Sequence, residues 1–513
     1  MKPIRLLSGI LTVGGWTLLS RLLGFVRDVI IANLLGPGVL MDAYVAAFRL
    51  PNMFRRFFAE GAFNAAFVPM FAKRMEGGED ALGFASLALS GLSLVLLVLT
   101  GLAMVFMPAL VYVTAEGFYG DARFDITIDF ARITFPYILF VSLAALLSGV
   151  LNASGRFAAA AAAPVLLNIM LISAMSVAWL IGGKVANALI WTIPFAGVAQ
   201  LALVWHAADR AGLRVRPQRP RWTPEMAQLV RVALPAALAG GVVQINLLVG
   251  QLVASNTEKA VSWLYAADRL YQLPLGVVGI AVGIVLLPDL ARRLRADDQD
   301  GARGAFSRAG ELSLALTIPA AVALMIVPLQ LVSVLFERGA FGTDDTAATA
   351  TAVAIYGLGL PAFVLQKIQQ PLFFAREDTR RPFHYAVVAM VVNAALAIGL
   401  AFYIGWVAAA IATTVAAWVM VVLLHFGARR YGEVARFDTR FRQRIWRIIL
   451  ASAVMGCVLW AVGVSLTPFF GLGGWRWLAL LVLITLGVLS YFAAGRLFGA
   501  FRMSELRETL RRR

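Results

Sequence analysis

The chain has 513 residues, of which 61% are hydrophobic and only 14% charged, and its mean hydropathy is +0.81. A soluble domain carries roughly a quarter of its residues as charge, so these proportions exclude a soluble protein with one anchor and describe a polytopic membrane protein. The formal charge of +17 raises nucleic-acid binding, which the placement of the basic residues removes below, and the single cysteine, Cys457, excludes an internal disulfide and a thiolate metal site.

Apolar runs of about twenty residues predict an all-α polytopic membrane protein of fourteen transmembrane helices. The runs lie near 8–35, 39–72, 82–113, 126–152, 158–182, 186–208, 225–255, 260–290, 307–336, 346–374, 382–404, 406–428, 443–466 and 475–498. The basic, apolar start resembles a signal peptide, but no small-residue cleavage site follows and arginines interrupt it, so it reads as the first span.

Those arginines lie in Ser20-Arg21-Leu22-Leu23-Gly24-Phe25-Val26-Arg27-Asp28. At the helical period Arg21 and Arg27 fall about 60° to either side of Gly24, and Asp28 about 40° from it. The expected result is a notch walled by cations. An arginine at mid-bilayer costs roughly 2.5 to 3.5 kcal/mol, so a wet cavity is the predicted setting. In the second span Asp42, Arg49, Arg56 and Glu60 recur on one face, Pro51 should kink the helix, and Arg55 points about 100° away from Arg56.

The other basic residues follow a rule. Of 45 in all, 31 occupy alternate connections, including Arg210–Arg221, Arg292–Arg308 and Arg429–Arg447, and the intervening connections hold only Arg123, Lys184, Lys259, Arg338 and Arg476. Such a bias places the rich side and both termini in the cytoplasm. Topology and attraction to anionic membrane lipids then explain the net charge, and no nucleic-acid partner is needed.

Later in the chain an earlier pattern returns. Tyr44–Pro51 is echoed by Tyr265–Pro274, Pro69–Arg74 by Pro288–Arg293, Pro136 by Pro361, and Leu167-Asn168 by Val392-Asn393, at offsets of 219 to 225. This is an internal duplication. Six spans per copy make the copies parallel, related by an axis along the membrane normal, with substrate expected between the lobes. The predicted organisation is an N-terminal lobe at 1–208, a cytoplasmic linker at 209–224 broken by Pro217, Pro220 and Pro224, a C-terminal lobe at 225–428, and two further helices with a basic tail at 429–513. The copies differ in charge, since the counterpart of Arg21–Asp28 falls near Gly241–Leu248 and has none. Arg269, flanked by Ser262, Asp268 and Gln272, is the main internal cation of the second copy. The last two helices suit either a lipid-facing groove for an acyl or prenyl chain or a scaffold.

No enzymatic constellation is visible: no metal-spaced His/Cys/Glu cluster, no GxSxG, no Walker A sequence and no dinucleotide fingerprint. The expectation is a non-enzyme without cofactor or metal. Interior arginines call instead for an anion, and the planar guanidinium suits phosphate or pyrophosphate.

At this level the chain resembles the MurJ (MviN) family of lipid II flippases, within the multidrug/oligosaccharidyl-lipid/polysaccharide exporter superfamily. The segments that carry the likeness are Ser20-Arg21 to Asp28, Asp42-Ala43, Leu50-Pro51-Asn52 with Arg55-Arg56, Ala59-Glu60-Gly61-Ala62-Phe63, Phe67-Val68-Pro69, Thr134-Phe135-Pro136-Tyr137, Ser262-Trp263 with Tyr265–Leu270, and Phe374–Thr379. The resemblance implies two six-helix lobes around a cationic cavity, alternating access, and outward transfer of the undecaprenyl-pyrophosphate-linked peptidoglycan precursor across the bacterial cytoplasmic (inner) membrane. It assigns Arg21, Arg27, Arg55 and Arg269 to the pyrophosphate and Asp42 and Ser262 to the cavity, with Ser20, Asp28, Arg49, Arg56, Glu60 and Gln272 as further candidate contacts. Helices 13 and 14 would hold the prenyl tail, and other cell-wall synthesis proteins are further candidate partners. Two positions depart from the family pattern: Gln272 stands where relatives often have a glutamate, and Ala397 where some have an aspartate. Proton or sodium coupling is therefore not expected, and the membrane potential is the predicted driver. Competing readings are a flippase for another polyprenyl-pyrophosphate sugar, a cation-coupled multidrug exporter, and a non-transport scaffold for cell-wall enzymes.

Overall fold

The computed structural model describes residues 6–56, 62–281, 286–471 and 474–500. Among the described residues regular structure is helical throughout, with twenty α-helices and no strand. A bilayer offers its interior no water to pair with backbone amides, and helices satisfy those groups within the segment.

Ten helical stretches among the described residues are long and apolar enough to cross a membrane, against the fourteen predicted. The other four predicted spans coincide with α1 (Leu6–Leu35), with α2 (Val39–Arg55) and α3 (Ala62–Glu76), with α10 (Pro224–Ser255), and with α11 (Ala260–Ala281) and α12 (Leu287–Arg295). Helix α10 is continuous, but its apolar stretch is described only over Gln244–Ser255.

The chain divides into two compact units, Met1–Ser262 and Trp263–Arg513. In the first unit α4 (Ala81–Val105), α5 (Met107–Thr114), α6 (Ala122–Thr134), α7 (Tyr137–Ala153), α8 (Ala158–Leu180) and α9 (Val185–Arg210) complete the set with α1–α3 and α10. Helix α1 packs on α8, α2 on α6, α3 on α10, and α9 on both α7 and α8. Aromatic stacking of Phe67 with Phe71 and Phe84 fills the core between α3 and α4. The opposite face of α4 exposes Leu94, Val95, Leu97, Val98 and Leu102, as a lipid-facing helix should.

Between α9 and α10 the arginine-rich linker has no helix from Leu213 to Thr223. It lies along α4, where the Arg216 amide donates to Ser86 Oγ at 3.0 Å and the Gln218 amide to Ser90 Oγ at 2.8 Å. Its prolines lack an amide proton and keep the segment extended, which leaves the remaining amides free for these two serines.

In the second unit α13 (Gln299–Ile326), α14 (Pro328–Phe336), α15 (Thr343–Phe374), α16 (Arg380–Ile404) and α17 (Val407–Ala428) follow α12. Helix α18 (Thr439–Ser465), the short α19 (Thr467–Phe470) and α20 (Arg476–Leu497) end the described chain. One face of α18 and α20 is buried with α13 and α14 in a cluster of Val327, Val334, Met455, Leu459, Leu480 and Leu483. Their other face exposes Trp460, Val464, Leu481, Leu489 and Phe492, so the pair has one packed side and one lipid side.

The units repeat local devices as well as helices. Asp80 caps α4 by accepting from the Gly83 amide, and Asp298 caps α13 by accepting from the Gly301 amide, each at 2.8 Å. Both helices break near the far end, at Phe106 and Val327, where Pro108 and Pro328 open α5 and α14. The match has limits: the chain is interrupted at Pro136 between α6 and α7, whereas α15 continues through Pro361.

Candidate functional site

Two clusters of interior charge lie in the first unit. One is on α1, where Arg27 donates from Nε to Asp28 Oδ1 at 3.0 Å, from Nη2 to the same oxygen at 2.7 Å, and from Nη1 to Asn168 Oδ1 at 2.9 Å. Asn168, on α8, returns its amide to the Ser20 carbonyl at 2.9 Å. A Cβ built on Gly24 would meet that amide at 3.6 Å, so the Asn168 side chain packs directly over Gly24. Arg27 and Asp28 are largely buried, at 11% and 3% side-chain exposure, whereas Arg21 is exposed. Sequence reasoning noted Asn168 only as a repeat match. Its signal was present, because an amide in the middle of an apolar span requires partners.

The second cluster begins on α2 and was only partly foreseen. Asp42 is fully buried, and its Oδ1 accepts from the Ser262 amide at 2.9 Å and the Ser262 hydroxyl at 2.5 Å. Oδ2 accepts from the Lys259 amide at 2.9 Å and lies 3.6 Å from Arg123 Nη1. Lys259 reaches this position at φ 69°, a left-handed conformation uncommon for a residue with a side chain. Arg123 is buried as well. It binds Asp121 through Nε and Nη2, the Ser255 carbonyl through Nη1 at 3.2 Å and the Gly117 carbonyl through Nη2 at 3.3 Å, and lies over the Phe118 ring. Gly117 lets the Ser255–Asn256 backbone come close, since a Cβ there would fall 2.5 Å from the Asn256 amide nitrogen. Asp42 and Ser262, expected as cavity positions, bond to each other in a buried network, and Arg123, counted from sequence as an outer-connection charge, is at its centre.

The remaining candidates fall at several places. Arg49 donates to the Leu247 carbonyl of α10 at 3.2 Å. Arg55 is half-buried and Arg56 exposed. Glu60 lies outside the described residues. In the second unit Arg269 sits over Tyr265, 4.5 Å from the ring centre, with Asp268 at 3.9 Å, and Gln272 donates to Asp268. Among the described residues no group of three or more His, Cys, Asp or Glu side chains is placed to hold a metal ion.

Comparison with known proteins places this arrangement in a family. The family model described as lipid II flippase MurJ matches residues 31–484. A probable lipid II flippase MurJ of Rhizobium tropici is 44% identical over 520 aligned positions, covering 99% of this chain and 97% of that protein. A solved lipid II flippase MurJ in an inward closed conformation superimposes with a TM-score of 0.80 at 26% identity, over 95% of this chain and 98% of that one. An inward-facing multidrug resistance transporter of the MATE family shares the fold, with a TM-score of 0.68 at 14% identity over 80% and 94% of the two chains. The chain belongs to the MurJ family of lipid II flippases.

Proposed function

We propose that this protein carries lipid II, the undecaprenyl-pyrophosphate-linked peptidoglycan precursor, from the inner to the outer leaflet of the bacterial cytoplasmic membrane by alternating access. The observation that carries the reading is interior cationic chemistry on a scaffold that matches a lipid II flippase over nearly its whole length. A multidrug exporter for cationic compounds needs acidic and aromatic walls, and the first unit offers arginines. Arg21, Arg27, Arg55 and Arg269 are the pyrophosphate contacts, with Ser20, Asp28, Arg49, Arg56, Glu60 and Gln272 as their supporting positions. Arg27 is presented by Asp28 and Asn168, and a side chain held in one rotamer binds a planar anion with less loss of entropy. Asp42 and Ser262 act as a latch between α2 and the start of α11, because their bonds must break before those segments part. Helices α18 and α20 offer the prenyl tail an apolar exposed face.

Depletion of the native flippase followed by rescue, with surface-exposed lipid II as the readout, tests this reading. Alanine at Arg21, Arg27, Arg55 or Arg269 abolishes rescue while the protein still inserts, lysine restores it in part, and Arg219→Ala on the linker is tolerated. Equal tolerance in both groups would falsify the cationic-site assignment. The direction of transport is checked by cysteine labelling on a Cys457→Ser background: positions in 113–125 and 336–346 react from outside, and those in 209–224 and 429–442 are protected.

A further inference from the structure

Three of the five basic residues on the arginine-poor side, Lys184, Arg338 and Arg476, belong to neither cluster, and the two arginines lie in the second unit. Arg338 follows α14 and Arg476 opens α20. Arg476 donates from Nη1 to the Glu337 carbonyl at 2.9 Å, and its Nη2 lies 3.5 Å from Glu337 Oε1. Its Nε is shielded from solvent and has no hydrogen-bond partner. Arg338 donates to the Val334 carbonyl and rests over Trp477, 4.6 Å from the ring centre. Burial first, and then the charge of Arg476, hold Arg338 below the usual guanidinium value, so the two cations are close enough to repel. Helix α20 starts at Trp475 without a side-chain cap, and its first residue is Arg476. A cation there meets the positive end of the helix dipole, which favours an anion. Glu337 supplies one negative charge against the two arginines. Trp475 and Trp477, both exposed, flank the pair, and indoles at helix ends settle at headgroup level.

We propose that Arg338, Arg476 and the first turn of α20 bind the phosphate group of a membrane lipid in the leaflet on the arginine-poor side. The uncapped amides of α20 donate to the phosphate oxygens, and Arg476 and Arg338 supply the positive charge while Trp477 orients Arg338. The indoles and the lipid-facing side of α20 select a lipid-borne phosphate over a free ion. A phosphodiester and a polyprenyl pyrophosphate share this chemistry. The site depends on the membrane-spanning reading alone and stands whatever the cargo proves to be.

The test uses the full-length protein in phosphatidylcholine nanodiscs doped with phosphatidylglycerol carrying a photoreactive headgroup. After irradiation, mass spectrometry should find adducts at 336–342 and 475–478. Arg338→Gln/Arg476→Gln should reduce them at least fivefold, the double lysine variant less, and Arg219→Gln not at all. Competition identifies the source: unlabelled phosphatidylglycerol as the better competitor assigns an ordinary anionic phospholipid, and undecaprenyl pyrophosphate as the better competitor assigns the polyprenyl headgroup. Absence of adducts at these positions, equal competition by phosphatidylcholine, or full displacement by inorganic phosphate overturns the proposal. So does unchanged labelling in a monodisperse glutamine variant. Should that variant aggregate, the lysine variant and the wild-type competition series decide the matter.

Discussion

Asn168 on α8 and Asn393 on α16 occupy matching places in the two halves of the duplication, and both are buried. Around Asn168 the first unit assembles Arg27, Asp28 and the Ser20 carbonyl. The stretch of α10 that corresponds to Ser20–Asp28 is uncharged. Helix breaks before Pro108 and Pro328, and caps at Asp80 and Asp298, are nevertheless shared. One helical plan therefore accepts charge at this stretch in the first unit and none at the matching stretch of α10.

The largest expected effect separates two carboxylates. Asp42 is fully buried and accepts three hydrogen bonds beside Arg123, whereas Asp268 is about a quarter exposed and lies 3.9 Å from Arg269. Removing one partner of a buried ion pair costs about 3–5 kcal/mol, and an exposed pair contributes less than about 1 kcal/mol. Asp42→Ala should collapse both cellular abundance and thermal stability in detergent, and Asp268→Ala should leave both nearly unchanged. Equal losses would break the contrast between the units.

Energy supply sharpens the same contrast. Gln272 and Ala397 stand in the second unit where coupling acids were sought, and the membrane potential is the driver we propose. Each uncompensated negative charge moving outward gains about 2.3 kcal/mol per 100 mV. Collapse of the potential with valinomycin, at fixed pH and sodium, should reduce lipid II exposure more than tenfold. Export that persists without a potential but stops without a sodium or proton gradient would move the coupling chemistry into the second unit.

Much of this was legible in the sequence because helix period and charge sign are local quantities. Ten of the apolar runs coincide with helices long and apolar enough to span a membrane, and the side-chain-free position at Gly24 is where Asn168 packs against α1. Arg123 was not legible. Its role depends on Asp42 and on the Ser255 carbonyl, 81 and 132 positions away in the chain, and only packing brings them to hydrogen-bond distance. The Pro136 interruption against the unbroken α15 was hidden for a similar reason, since proline permits a break and tertiary contacts decide whether one occurs.

Asn168 gives a smaller effect than the carboxylates. Asn168→Ala leaves Arg27 Nη1 and the Ser20 carbonyl without this partner, a loss of about 1–3 kcal/mol. The transport defect should exceed the stability defect, because Arg27 remains held by Asp28 but is no longer steered from α8. Arg27→Lys should show the same signature, since one ammonium cannot serve Asp28 and Asn168 in the geometry of the fork. A variant that transports normally despite losing stability would make Asn168 a packing residue only.

The smallest effect tests where the units ought to agree. Asp80 and Asp298 cap their helices with bonds of the same length, and replacing such a cap by alanine costs about 1 kcal/mol. Asp298 also lies 3.0 Å from Arg293, but both side chains are exposed, so the ion pair adds at most a few tenths of a kcal/mol. Asp80→Ala and Asp298→Ala should therefore lower thermal stability by nearly equal amounts, and neither should alter lipid II export beyond its effect on abundance. The residual difference should vanish at high salt, which screens the Arg293 pair and acts alike on the two carboxylate caps. A persistent gap would mean that the duplicated scaffold is itself unequal, and the arginines of the first unit would then belong to a different fold balance as well as to a different chemistry.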